Sequence, residues 1–261
     1  MDLYQHFRPE EKPFIDEITG WVEEVQTRYV PKRSDFLDPR QQDIVRAVIG
    51  DQDDISMSFS GGSENAERKR LLLLPPYSQS EDEDHGLTLF EVNYPRKFAS
   101  IGHRDLLGAL MGIGLKREKF GDLLFQDGQV QFVVAKEIAS YVRLNLTEVG
   151  SSPVELEEIP IQEILVVPES WSEQGGTVSS LRLDAVLSEV YRLSRAKITP
   201  LIRKGFVKVN WKTVEQPSYS LRTGDYLSFR GKGRSKLLGV EGPTKKGKQR
   251  IIIGKPDENH P

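Results

Sequence analysis

The residues best placed to do chemistry in this sequence are cations. Arg182, Arg195, Lys197, Arg203, Lys204, Lys208, Lys212, Arg230, Lys232 and Arg234 all fall within one short stretch. Guanidinium and ammonium groups at this density suit a polyanion. Each neutralised phosphate releases condensed counterions, and the planar arginine fork adds bidentate geometry. Residues 181–255 carry 18 Lys+Arg against 5 Asp+Glu, a net of +13, whereas residues 1–180 carry 18 against 32, a net of −14. The formal net charge of −3 therefore averages two opposed halves. Such asymmetry points to one part that meets a polyanion and another that does not. Composition alone leaves open a basic solvated face with no partner.

Other chemistries find little support. There is no cysteine, which excludes disulfides, Cys-based zinc sites and thiol catalysis, and which suits a reducing cytoplasm. His6, His85, His103 and His260 are scattered without metal-ligand spacing, and no Ser/His/Asp set can be argued. Gly61-Gly62 is not followed by the lysine of a phosphate loop and reads as a turn. No catalytic residue, metal or cofactor is expected. No unbroken aliphatic run exceeds that at 71–74, and the N-terminus MDLYQHFRPEEK is charged where a signal peptide needs an apolar core. Neither a membrane partner nor oligomerisation is expected; the chain reads as a monomer. With 261 residues, 37% apolar and 29% charged, it has room for two or three globular domains.

The cations need elements to hold them. After Ser180, Leu183, Val186, Leu187 and Val190 recur at helical spacing and make one apolar stripe. Ser194 is a candidate N-cap for a second helix over 195–204, closed by Gly205, with Ile198, Leu201 and Ile202 on one face. Arg195, Lys197, Arg203 and Lys204 lie off that face. Pro200 inside this helix removes a backbone hydrogen bond and predicts a kink. FVKVN (206–210) reads as a strand with Lys208 between inward valines. Residues 212–214 and 225–229 supply further short strands, and RGKGRSK (230–236) is a glycine-spaced basic segment that could follow a phosphate backbone.

Arg182 and Arg195 read as phosphate contacts in preference to surface ion pairs with Asp184, because the local excess of cations leaves few carboxylates. Asp184, in a first helical turn, suits the helix dipole and could orient Arg195. Trp211 could equally stack on a base or cap the small core.

Upstream, Phe14, Ile18, Trp21, Val22, Val25 and Tyr29 predict an amphipathic helix over 10–29. Asp38-Pro39 starts a second helix that stops at Gly50. SMSFSGG (56–62) and 71–74 read as strands. Pro75-Pro76 and the acidic SQSEDEDH mark a boundary. Between 87 and 160 the order is βαββαβ: strands at 87–94, 122–125, 129–134 and 154–159, helices at 103–112 and 135–146, with Asp127-Gly128 as a hairpin turn. That order predicts a ferredoxin-like domain. The aromatic-rich strand of RNA-recognition motifs is missing, since QVQFVVAK offers one Phe. PESWSEQGGTVSS (168–180) reads as a linker.

The stretch SLRLDAVL…LSRAKITPLIRKGFVKVNWKTVE…LRTGDYLSFRGKGR resembles the S4 domain of ribosomal and RNA-modifying proteins. The resemblance rests on Arg182-Leu183-Asp184, Ser194-Arg195, Ile202-Arg203-Lys204-Gly205, Val207-Lys208-Val209-Asn210 and Gly224-Asp225 in this order. Trp211 departs from the glycine of many S4 domains. YQHFRPEEKPFID, SDFLDPR, FSGGSENAERKR and HRDLLGALMGIGLKREKFGDLLF extend the likeness to the YlmH family of bacterial S4 proteins. The expected fold is α+β: an N-terminal helical α/β domain (1–78), a ferredoxin-like domain (85–165), and an S4 domain (180–240) with a basic extension (241–261). The resemblance implies a non-enzymatic RNA-binding protein of the large ribosomal subunit. Its partners would be ribosomal RNA, stalled peptidyl-tRNA and a nascent-chain tailing factor, in quality control by C-terminal alanine tailing. Arg182, Asp184, Ser194, Arg195, Lys197, Arg203, Lys204, Lys208, Asn210, Lys212, Arg230, Lys232 and Arg234 are the expected RNA-binding set. The alternatives are an RNA-modifying enzyme of the pseudouridine-synthase type, in which the Asp of such an RLD is catalytic, and an S4 adaptor in cell division.

Overall fold

The structure, a computed structural model, describes residues 7–50, 54–76, 78, 84–167, 170–244 and 247–256. It falls into two compact units, Met1–Val167 and Pro168–Asn259.

In the first unit, α1 (Lys12–Arg28) buries Ile15, Ile18 and Val25 along one stripe. It ends at Tyr29, whose left-handed backbone (φ 54°) lets its N–H reach the Val25 carbonyl. Tyr29 is thus an exposed terminator and not the last member of the stripe. After β1 (Lys32–Leu37), Asp38 opens α2 (Pro39–Ile49) with a reciprocal cap. Its carboxylate accepts from the Gln41 N–H at 2.9 Å while the Gln41 side chain accepts from the Asp38 N–H at 2.9 Å. With β2 (Ser56–Ser60) and β3 (Lys69–Leu74), β1 forms an antiparallel sheet in the order β1-β3-β2. Ile44, Val45, Leu71 and Leu73 join the α1 stripe to make its core.

The rest of this unit is β4 (Leu87–Asn93), α3 (His103–Gly112), β5 (Phe120–Gln126), β6 (Gln129–Ala135), α4 (Ala139–Asn145), the short β7 (Glu148–Val149) and β8 (Ser152–Pro153), and β9 (Glu155–Ile159). The sheet order β5-β6-β4-β9, antiparallel throughout, is the ferredoxin-like topology expected from the element order. Asp127 (φ 49°) and Gly128 (φ 77°) make the turn of the β5–β6 hairpin. The helix expected over 135–146 is shorter: Ala135 ends β6 and a 3-10 turn, Lys136–Ile138, precedes α4.

One face of this sheet packs Phe90, Val92, Phe132 and Val134 with Leu106, Leu110 and Val142 of the helices. The other face is covered as well, by Phe36 of β1 together with Ile161 and Ile164, against Leu89, Val133 and Ala135. Gly121 permits this approach, because a Cβ there would sit 2.8 Å from the Phe36 ring. Arg70 ties the same junction. Its side chain is 4% exposed and donates to the Ser34 and Gly86 carbonyls (2.7 Å each) and to both Glu137 oxygens (3.0 and 2.9 Å). The surface on which RNA-recognition motifs stack bases is therefore covered here around Leu89, Val133 and Ala135, while Asn93 and Glu157 on the same face stay exposed.

The second unit comprises β10 (Trp171–Val178), α5 (Leu183–Tyr191), α6 (Arg195–Arg203), β11 (Val207–Val209), β12 (Lys212–Thr213), β13 (Tyr226–Phe229), β14 (Gly233–Pro243) and β15 (Gln249–Pro256). Its sheet runs β10-β15-β14-β13-β11-β12. Leu183, Val186, Leu187, Val190, Ile198 and Ile202 pack on Val207, Val209, Leu227, Phe229, Leu237, Ile251 and Ile253. The expected linker at 168–180 is corrected: β10 pairs with β15 along its whole length. Gly176 marks a close approach to a helix, since a Cβ there would lie 2.8 Å from Glu189 of α5. α6 continues through Pro200. Ala196 and Pro200 are both exposed, so the carbonyl that loses its donor there is open to water.

Candidate nucleic-acid interface

Arg182 is the N-cap residue of α5, where an isolated bridge to Ser220 holds its backbone. Two residues on, Asp184 lies in the first turn with its side chain only 5% exposed. Arg182 donates to it through Nε and Nη2 (3.1 Å each), and Arg195 at the start of α6 donates through Nη2 at 2.6 Å. The two guanidinium groups remain 44% and 47% exposed. One buried carboxylate thus holds two cations side by side at the mouth of the helix pair. The ion pair with Asp184, which ranked second to phosphate contact in the sequence, is present for both arginines; it fixes their planes while leaving further N–H groups facing solvent. Burial pushes the Asp184 carboxyl up. Hydrogen bonds from Arg182 and Arg195 outweigh that and hold it below its ordinary value.

The other expected residues fall into separate groups. Lys197, Arg203 and Lys204 are exposed on α6. Ser194 occupies the N-cap position, but its side chain makes no capping hydrogen bond; its carbonyl accepts from Lys197 and Ile198. Asn210, in the β11–β12 turn, is engaged by the start of β13, donating to Asp225 (2.9 Å) and accepting from the Tyr226 N–H (2.8 Å). Arg230 lies over Phe206 (5.3 Å to the centroid), and Lys232 sits in the β13–β14 hairpin, whose turn uses Gly231 and Gly233 at positive φ. Among the described residues, Lys197, Arg203, Lys204, Lys208, Lys212, Arg230 and Lys232 have no carboxylate within ion-pair distance.

On the sheet face opposite the helices a further cluster stands that the sequence did not disclose. Tyr226 alternates with the inward Leu227, and Lys236 is its cross-strand partner. Trp211 stacks on Tyr226 (4.9 Å, 23°), and Trp171 meets the same ring edge-on (5.4 Å, 71°). Trp211 belongs to none of the buried clusters, so it does not cap the helix-side core. Its backbone is left-handed (φ 62°), a conformation costing about 1–2 kcal/mol for a non-glycine residue, partly offset by an aromatic pair of about 0.5–1.5 kcal/mol. Trp171 was hidden because its segment looks like a linker, and Tyr226 and Lys236 because no spacing relates them to Trp211.

Family models described as "YlmH, N-terminal", "Putative RNA-binding domain in YlmH" and "S4 domain" match residues 10–78, 80–163 and 181–226. A relative from Bacillus subtilis, named "Ribosome-associated protein quality control protein P2", is 49% identical over 252 residues, covering 97% of this chain and 98% of that protein. The chain belongs to the YlmH family. A solved structure titled "Cell division protein ylmH from Streptococcus pneumoniae" is 32% identical. It covers 61% of this chain and 97% of that one, with a TM-score of 0.52. Within this YlmH chain, the S4 match includes the Arg182–Asp184–Arg195 clamp but ends at Tyr226, before Arg230, Lys232, Arg234 and Lys236. RNA binding is thus the family's property.

Proposed function

We propose that this chain is a non-enzymatic, monomeric, cytoplasmic protein that docks its S4 helix pair on structured ribosomal RNA and peptidyl-tRNA of the large subunit. Its process is ribosome-associated quality control of stalled nascent chains, with a C-terminal alanine-tailing factor as protein partner. The observation that carries the reading is the clamp of Arg182 and Arg195 on Asp184. Two guanidinium groups held at fixed spacing fit neighbouring phosphates of a folded RNA, and the surrounding cations of α6 and the hairpins supply affinity without reading sequence. The name of the Bacillus subtilis relative supports the ribosomal assignment. The ferredoxin-like domain and the acidic N-terminal part would set orientation or meet protein.

The test is co-sedimentation with purified ribosomal subunits, with and without peptidyl-tRNA on the large subunit. Preferential binding to the large subunit, strengthened by peptidyl-tRNA and weakened by Arg195→Ala, supports the reading. Equal binding to both subunits, or insensitivity to Arg195→Ala, overturns it.

A further inference from the structure

We propose that Tyr219 makes the Arg182–Asp184–Arg195 clamp selective for RNA in which an unpaired base adjoins the clamped phosphate, an inference that rests on the S4 helix pair being the RNA dock. The segment 216–220 lies against the start of α5 and is fixed there by its backbone. The Tyr219 carbonyl accepts from the Leu183 N–H (2.8 Å), the Pro217 carbonyl accepts from the Asp184 N–H (3.0 Å), and Ser220 bridges Arg182. Within the segment the Tyr219 N–H donates to the Gln216 carbonyl at 3.0 Å, and just beyond it the Leu221 N–H donates to the Leu181 carbonyl at 2.8 Å. A tyrosine is thereby pinned, by its own backbone, to the residue that follows Arg182.

The same segment decides what the start of α5 has left to offer an anion. Its carbonyls take the Leu183 and Asp184 N–H groups, and those of Ala185 and Val186 donate to the Arg182 carbonyl (3.1 and 2.9 Å). The amides that a helix start ordinarily presents to a phosphate are therefore occupied. Phosphate meets side chains here, the half-exposed guanidinium groups of Arg182 and Arg195. Beside them Tyr219 is left in solvent. It is 39% exposed, joins no buried cluster, and its ring and hydroxyl engage no partner among the described residues. The carboxylates close in sequence do not oppose the two cations. Asp184 is already held by both arginines, and Glu215 turns to Gly205, where a Cβ would lie 3.5 Å from its Oε1. Gly205 follows α6, whereas Arg195 opens that helix at its other end. A ring beside paired guanidinium groups fits a nucleotide, with phosphate on the forks and base on the ring. A continuous A-form duplex keeps its base faces in the stack, so the occupant that uses both features is folded RNA with an extruded base.

The experiment uses the full chain and two RNA stem-loops that differ only by one unpaired purine bulged from the stem. Wild type should bind the bulged RNA at least ~5-fold more tightly, the lower end for one base–aromatic stack, and Tyr219→Ala should bring that ratio to within about twofold. Tyr219→Leu keeps apolar bulk without a π face and should behave like Tyr219→Ala. Tyr219→Phe keeps the ring, and because the hydroxyl has no partner among the described residues it should keep the preference. A fluorescent purine analogue in the bulge should be quenched by wild type and by Tyr219→Phe, and not by Tyr219→Leu. Thermal melts check that each variant is folded. Wild type without a preference for the bulge overturns the inference, as does a preference that survives Tyr219→Leu. So does an equal loss of both RNAs, which would leave the tyrosine as support for the clamp. If Arg195→Ala weakens both RNAs while Tyr219→Leu keeps the preference, the stacking fails and the clamp stands; if Arg195→Ala weakens neither, both fail.

Discussion

The ferredoxin-like sheet and the C-terminal sheet each have helices on one face, and they differ in what covers the other. In the first, Phe36, Ile161 and Ile164 close the second face over Leu89, Val133 and Ala135. In the second, that face carries Trp171, Trp211, Tyr226, Lys208, Arg234 and Lys236. The cations are handled differently as well. Arg70 is spent inside the first unit on two carbonyls and Glu137, Arg40 is bidentate to Glu11 (2.9 Å each), and Lys119 pairs with Asp35 at 2.7 Å. In the second unit most cations point outward, and even the paired Arg182 and Arg195 stay half exposed. A cation inside a fold contributes to architecture; one left in solvent on a crowded basic surface raises self-repulsion and gains only when a polyanion arrives.

Two carboxylates show the same division. Asp122 in the first unit is pushed up by burial, opposed by the Glu67 and Arg68 N–H groups that donate to it at 2.7 and 3.1 Å. For Asp184 burial acts in the same direction, but two guanidinium groups reverse the outcome. Backbone dipoles alone do not overcome desolvation in the one case; full charges do in the other.

The sharpest way to break the comparison is to open the buried face. Phe36→Ala should cost about 3–5 kcal/mol in a denaturant melt, because a fully buried ring leaves a cavity between two sheets. RNA affinity of the folded fraction should not change. If it falls, the first unit takes part in binding. Leu187→Ala in the helix-side core of the second unit should cost about 2–5 kcal/mol and carry RNA binding down with it as the unit melts.

A smaller effect separates binding from folding. Arg195→Ala should weaken RNA binding about tenfold, as expected for hydrogen bonds to a charged group, with the melt nearly unchanged; Arg195→Lys should rescue only part. A fragment of residues 168–261 should retain most of the affinity, with a steep loss as salt is raised. A fragment that begins inside β10 removes the partner of β15 and should fold poorly.

The smallest effect is on pH dependence. Asp184 has a depressed folded value, so its contribution is present above the unfolded pKa of about 4 and is lost as pH falls through the folded value. Asp184→Asn should remove that acid-side loss from urea midpoints measured across the range. Asp122, raised on folding, has the opposite sign: its contribution declines as pH rises through the folded value, and Asp122→Asn should remove that decline.

Local signals were read well where neighbours in sequence decide the structure. Asp38-Pro39 capped α2, Asp127-Gly128 turned the β5–β6 hairpin, and the stripes at 183–190 and 198–202 buried the residues their spacing named, Leu201 only in part. The segment 168–180 misled, because glycine can mean close packing as readily as freedom. The clamp was half legible: Asp184 was a plausible partner for Arg195, but nothing in the order of residues required it to hold Arg182 as well.

By itself the sequence determined the charge division of the chain, the two helices that present the cations and the order βαββαβ, because these depend on composition and on periods of two and 3.6 residues. Tertiary structure decided which faces are open. Phe36 reaches the ferredoxin-like sheet across about fifty residues of chain and a glycine, and Trp171 meets Tyr226 only because β10 pairs with β15 at the far end of the unit. Strand pairing between distant segments is set by the global packing of both faces, and no local pattern encodes it.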